Sequence, residues 1–405
     1  MSPRPLVVAI ASLLLVSLAT AQDQTSRPGF VDDGVRVFGP PGPGRVRPPV
    51  RIMPAVTSST PTGMTPSKVR SAYGFSSIAN KGKGQTIAII DAYDHPNIEN
   101  DLAVFNTRFG LPPCTTANGC FVKVYASGAK PVTDAGWALE IALDVEWAHA
   151  IAPEAKIMLV ESASNFSSSL LHAVDVAVQR GATVVSMSWG GDEWSTESSL
   201  DSHFAANGVS FLSASGDDGT GAGWPAVSQY VVSVGGTSLR LTSTSAWSSE
   251  SAWTGSGGGR STYVTQPSYQ SAYVIAGANG KRSQPDVAFN GNPNTGFAVY
   301  DSLTLDGQSG WFQVGGTSAG APQWAALIAI VNSMRRAQGK GNLPNPANQY
   351  IYQVAKAALT TRFHDITTGT NGTCGSLCNG KAGYDYVTGL GTPKANTLIP
   401  ALVAK

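Results

Sequence analysis

Between residues 86 and 234, short apolar runs alternate with segments of helical spacing, and no other feature constrains the fold of this chain as tightly. Residues 86–91, 156–160, 183–189, 209–215 and 230–234 are rich in Val, Ile and Leu and read as strands buried on both faces. Residues 137–150 and 168–180 carry helical spacing, and Gly181 supplies a C-cap to the second. Strand and helix in this order predict an α/β fold: a doubly wound, mainly parallel sheet flanked by helices. Ligands in such sheets sit beyond the carboxyl ends of the strands, which gathers Asp91, Ser188 and the Ser215-Gly216-Asp217-Asp218-Gly219 turn at one edge.

The front of the chain reads differently. Arg4, an apolar run from Leu6 to Leu18 and a small-residue site at Ala19-Thr20-Ala21 have the pattern of a signal peptide over residues 1–21, which predicts secretion. Residues 22–63 are rich in Pro, Gly and Arg and read as an extended linker or short pro-segment. A single globular domain is expected over residues 64–405. Four cysteines fit an exported chain, and proximity favours the pairs Cys114–Cys120 and Cys374–Cys378 among three connectivities. With 27 Lys and Arg against 26 Asp and Glu, the chain lacks the basic excess of a nucleic-acid binder.

Ser318 is the strongest candidate for chemistry. It lies in Gly315-Gly316-Thr317-Ser318-Ala319-Gly320, after a strand-like stretch at residues 310–314 and before an apolar helical one at 324–334. Small neighbours admit a substrate backbone, and Pro322 suits a first helical turn whose positive end would stabilise an oxyanion. A serine N-cap in a glycine turn would look the same. The Gly-x-Ser-x-Gly pattern of esterases also demands an acid and then a histidine after the serine. Here only His364 follows, with no Asp or Glu between. None of the five histidines (His95, His149, His172, His203, His364) sits in a glycine-rich helix start, so a histidine base is disfavoured. Glu140 and Asp144 offer another base. They stand at i and i+4 among apolar residues, where burial and like charge favour a shared proton over two exposed carboxylates.

With these residues in view the chain resembles the sedolisins, or serine-carboxyl peptidases. The Glu140-x-x-x-Asp144 helix, the Ser215-Gly216-Asp217 turn and the Gly316-Thr317-Ser318 loop occur in the family's order. Ser188-Trp189-Gly190-Gly191, Ser256-Gly257-Gly258-Gly259 and Pro285-Asp286-Val287-Ala288 extend the likeness. The resemblance implies a subtilisin-like fold and a secreted, acid-acting endopeptidase working through an acyl-enzyme. Ser318 would be the nucleophile, Glu140 its base, Asp144 the supporting carboxyl and Asp217 the oxyanion acid. Asp218 follows where the family often has a small residue, and Asp217 is taken as the inward-pointing one. A His-dependent hydrolase and a non-catalytic peptide-binding homologue are the alternatives. The family's long folded prodomain has no counterpart in residues 22–63, which puts zymogen control in question.

His364-Asp365-Ile366-Thr367 and Gly383-Tyr384-Asp385 place two carboxylates among glycine-rich carbonyls, a donor set suited to calcium or to a pair of Asx turns. The resemblance implies one structural Ca2+ held by the Asp365 and Asp385 side chains and the backbone oxygens of Ile366, Lys381 and Gly383. The expected partners are protein or peptide substrates, with no nucleic acid, no stable membrane association and a monomeric state. Asp192 and Glu193 are candidates to line the cleft and favour basic side chains.

Overall fold

The computed structural model describes residues 28–30, 36–38, 44–53 and 60–405. The segment assigned to a signal peptide lies outside them. Eight strands form the central sheet: β1 (Thr86–Ala92), β2 (Phe121–Tyr125), β3 (Lys156–Ser162), β4 (Val184–Met187), β5 (Ser210–Ala214), β6 (Val231–Leu241), β7 (Trp247–Ala252) and β8 (Val287–Asn290). Their order is β7-β6-β5-β4-β1-β3-β2, with β8 also paired to β6. Every pairing is parallel except β6–β7, so the doubly wound sheet is as the alternation predicts. Expected strand positions agree with observed ones, except that β6 continues well past residue 234. Its polar second half pairs with β7, and no apolar run marks it.

Side chains alternate across the sheet and feed two cores. Ile87, Ile89, Ile157 and Leu159 point to the layer containing α1 (Ala135–Ile151) and α3 (Gly320–Ala337). Ala88, Ile90, Met158 and Val160 point to the layer of α2 (Ser167–Gln179). All residues of α1 from Gly136 to Ile151 are buried, so this helix has no solvent face. Its N-terminus is capped by Asp134, whose Oδ1 accepts from the backbone amides of Gly136 and Trp137 at 3.0 Å each.

A hairpin of β9 (Phe297–Leu305) and β10 (Gln308–Gly315) leads directly into the Ser318 turn and α3. Cys114 bonds Cys120 and Cys374 bonds Cys378, the pairing that proximity favours. No described helix is long and apolar enough to cross a membrane. Residues 44–53 are extended, as their composition suggests, but they are packed on the folded body. Val46, Val50 and Ile52 are buried, and Arg51–Ile52 adds an antiparallel strand to β10.

Candidate active site

Ser318 occupies a 3-10 turn, Thr317–Ala319, that runs straight into α3 and is wholly buried. Gly316 precedes it at φ +113°, a conformation that favours glycine. A Cβ on Gly316 would stand 2.2 Å from the Pro49 carbonyl oxygen and 2.7 Å from Asp217 Oδ2. The missing side chain is therefore what lets these two oxygens converge beside Ser318.

Glu140 and Asp144 project from the middle of α1, both fully buried. Among the described residues no side chain makes a well-formed hydrogen bond to either carboxyl. Burial pushes the Glu140 carboxyl well above its ordinary value, the charges of Asp144 and Asp91 push it further, and the nearby Ser318 hydroxyl pulls it back. Burial likewise raises Asp144, to about 8, against the lowering influence of Ser188 and Glu140. Asp91, at the carboxyl end of β1, is also buried and raised well above its usual range, by burial first and then by the charges of Asp144 and Glu161. Three carboxyl groups thus share one dry site beside Ser318, and they titrate as a group. Strand-end logic brings Asp91 to this edge of the sheet; its link to Asp144 only the packing reveals.

Asp217 comes from the turn after β5. Its Oδ1 accepts from the Thr317 amide at 2.8 Å and the Thr317 hydroxyl at 2.9 Å, leaving Oδ2 on the Pro49 side. Burial raises its carboxyl to about 7, although Arg51 and the Thr317 donors oppose that rise. Asp218, the next residue, turns outward with its side chain 68% exposed, so Asp217 is the inward one. The histidines are engaged elsewhere. His149 bonds the Pro112 carbonyl at 2.9 Å and burial lowers it to about 4; His95 lies between Asp101 and Asp301. His172 meets the Ala126 carbonyl, His203 pairs with Asp175 and His364 stacks on Trp247.

What sequence reasoning missed is the strap formed by residues 44–53, which runs through this site. Arg47 exchanges backbone hydrogen bonds with Gly190, 3.2 Å from its amide and 3.1 Å to its carbonyl, as an added antiparallel strand does. Two residues on, the Pro49 carbonyl accepts from the Ser318 amide at 3.3 Å. Beyond it, Arg51 faces Gly315 and Ile52 faces Val314 of β10. The Arg47 guanidinium donates to Asp218, and that of Arg51 to the Asp217 carbonyl. A cavity of about 270 Å³ opens beside Pro49, walled by Gly190–Asp192 and by Ser215–Gly219, with Trp224 among its lining residues. Asp192 reaches this cavity; Glu193 is instead engaged by the Ser261 hydroxyl and the Thr262 amide. The one available signal was the spacing of Val46, Val50 and Ile52 among arginines, too weak to separate a docked strap from a linker.

Asp365 and Asp385 meet the same turn far along the chain. Gly383 donates its amide to Asp365 at 3.1 Å, and the Lys381 amide lies 3.5 Å from Asp385 Oδ2. The Ile366 carbonyl faces this turn, since a Cβ on Gly380 would lie 3.1 Å from it. Asp385 also accepts from the Val387 and Thr388 amides at 2.8 Å, which fixes its carboxylate. Two carboxylates and a carbonyl oxygen around one glycine-rich turn fit a hard cation.

Residues 133–368, more than half of the chain, match the family described as the Subtilase family. Kumamolisin of Bacillus sp. (strain MN-32) is 34% identical over 381 residues, which cover 85% of this chain and 65% of kumamolisin. Sedolisin of Pseudomonas sp. (strain 101) is 32% identical over 212 residues, 46% of this chain and 34% of that protein. The chain therefore spans less than two thirds of the length of these relatives. Among solved structures, Pseudomonas sedolisin (serine-carboxyl proteinase) complexed with two molecules of pseudo-iodotyrostatin superposes with a TM-score of 0.73 at 26% identity. The match covers 86% of this chain and all of that one. The chain belongs to the subtilase family, on its sedolisin branch.

Proposed function

We propose that this protein is a serine-carboxyl endopeptidase that cleaves peptide bonds in proteins or peptides at acid pH through an acyl-enzyme on Ser318. The observation that carries this reading is a peptide carbonyl, that of Pro49, seated at the Ser318 amide beside Asp217 Oδ2, while the Ser318 hydroxyl lies against Glu140.

In the reaction, Ser318 Oγ attacks the carbonyl carbon of the substrate, and the carbonyl electrons move onto oxygen. The Ser318 proton passes to Glu140. Where Asp144 holds the cluster's single negative charge, Glu140 hands its own proton on as it receives one, so either distribution accepts the proton. The oxyanion takes a hydrogen bond from the Ser318 amide and a proton or hydrogen bond from protonated Asp217 Oδ2. Collapse breaks the C–N bond, and Glu140 returns the proton to the leaving nitrogen. Water then repeats the sequence on the ester. Thr317 orients Asp217 by occupying its other oxygen.

Acid action follows from Asp217. Its carboxyl, raised to about 7, keeps the donor proton below that pH and loses it above. We further propose one structural Ca2+ at Asp365, Asp385 and the carbonyls of Ile366, Lys381 and Gly383, and a secreted monomer with no nucleic-acid or membrane partner.

The test is a pH–rate profile with an internally quenched peptide, for wild type and Ser318→Ala. The carboxyl scheme predicts rates that decline as pH rises through about 7, and a loss of about 10⁴-fold or more in the variant. Rates that climb through about pH 6.5 indicate a histidine base instead. Undiminished cleavage by Ser318→Ala removes the assignment altogether.

A further inference from the structure

The strap crosses the cleft in the direction and register of a peptide about to be cut, so its side chains mark where substrate side chains would lie. With the Pro49 carbonyl at the Ser318 amide, Arg47 is the third residue N-terminal of the bond in the attack position. Its backbone is held in both directions by Gly190, which fixes where its side chain emerges. That side chain is 20% exposed and its guanidinium is on the Asp218 carboxylate. We infer that Asp218 selects a basic side chain, Arg or Lys, at the third residue N-terminal of the scissile bond. The inference rests on the peptidase reading and deepens it.

Three features support the assignment. Asp218 is displayed on the rim of the cleft by the same turn that buries Asp217, so a substrate side chain reaches it without entering the core. Of the other acidic candidates, Glu193 is engaged by Ser261 and Thr262, and Asp192 lines the same cavity as Arg47 and Asp218, but it is Asp218 that receives the Arg47 guanidinium. Lastly, Pro48 and Pro49 have no amide hydrogens, so the strap forgoes any backbone donor just before the Ser318 contact. Its seating therefore leans on Arg47 and on the strand at Arg51–Ile52. Arg51 is the competing explanation, since its guanidinium lies 3.8 Å from Asp218 Oδ1 while stacking 5.6 Å over Trp253. It sits on the far side of the bond, second after the cut, and the two positions can be varied separately.

The experiment uses the full-length chain. Peptides that differ only in Arg, Gln or Glu at the third position before the cut are compared by kcat/KM, and the same exchange is made at the second position after it. A strap that competes for the cleft scales kcat/KM of every peptide by one common factor, so the Arg/Gln ratio reads the subsite alone. An exposed ion pair predicts a ratio of about three to five in wild type, falling with salt. In Asp218→Asn the ratio should drop to about one, and in Asp218→Lys it should reverse in favour of Glu. Asp192→Asn should keep the wild-type ratio. A ratio unchanged in Asp218→Asn, or a preference confined to the second position after the cut, overturns the inference. If no peptide is cut by any form, the peptidase reading fails, and hydrogen exchange still decides the subsite. Amides of residues 46 and 47 should exchange about three- to fivefold faster in Asp218→Asn and in Arg47→Gln than in wild type. Equal exchange would overturn it.

Discussion

Two buried acidic groups in this molecule have the same solvent exposure and opposite circumstances. Asp286 is fully buried and fully served: Arg282 donates to its two oxygens at 2.8 and 2.6 Å, and Tyr352, Asn348 and the Ser233 amide each donate at 2.9 Å. Glu140, Asp144 and Asp91 are equally buried, yet no described cation pairs with them; burial drives all three upward, and neighbouring carboxylates push Glu140 and Asp91 further. A satisfied carboxylate is a fixed strut. An unsatisfied cluster holds a mobile proton, which is what acid–base chemistry requires. The contrast separates structural acids from reactive ones where burial alone cannot.

The largest expected effects come from removing one carboxylate of each kind. Glu140→Gln should lower kcat by about 10²–10⁴-fold while the protein melts no lower at pH 8, since the cost of holding a buried carboxyl far from its ordinary titration range is gone. Asp286→Asn should instead cost about 3–5 kcal/mol in denaturant unfolding, because Arg282 is left as an uncompensated buried charge. If Glu140→Gln proves the less stable and Asp286→Asn the more harmless, the comparison is wrong.

A second break point is pH. Asp144 and Asp217, raised to about 8 and about 7, stay protonated in the folded protein over a range where the unfolded chain has released those protons, above pH ~4. Folding then binds protons, so stability is full below pH ~4 and declines as pH rises through 7 and 8. Calorimetry should find a melting temperature roughly 5–10 °C lower at pH 8 than at pH 4. Asp144→Asn should flatten that slope; an unchanged slope would mean that the cluster does not titrate as described.

Asp365 and Asp385 form an intermediate case, carboxylates whose proposed counterion is a metal. Saturating calcium at about 100 times its dissociation constant should add about 2.7 kcal/mol. Equal melting temperatures with and without a strong chelator, once calcium removal is verified, would exclude the site. The smallest effect is expected from Asp134→Ala, which strips the cap from α1 and should cost about 1 kcal/mol in denaturant titration without shifting the pH–rate profile.

Strap and sheet also differ in how they could be read. The strands β1, β3, β4 and β5 were legible because a strand buried on both faces must be apolar almost throughout. The polar half of β6, β7 and β9 were not, since their stability comes from cross-strand partners that no local window contains; of the β9–β10 hairpin only residues 310–314 of β10 read as a strand. The burial of Glu140 and Asp144 was legible from their apolar neighbours. Their orientation toward Ser318 was not, because α1 is buried all round and carries no facing signal.

Residue types and their order along the chain thus determined the parallel sheet, the disulfide partners, Ser318 in its glycine turn and the paired acids on one helix. Local chemistry fixes such things: periodicity, turn residues and short-range spacing. Only the tertiary structure decided that Asp217 faces inward and Asp218 outward, that Asp91 joins the carboxyl cluster, and that residues 44–53 lie across the site. Each of those depends on contacts between segments some fifty to three hundred residues apart. Burial and electrostatic coupling act through distance in space, and sequence separation does not report it.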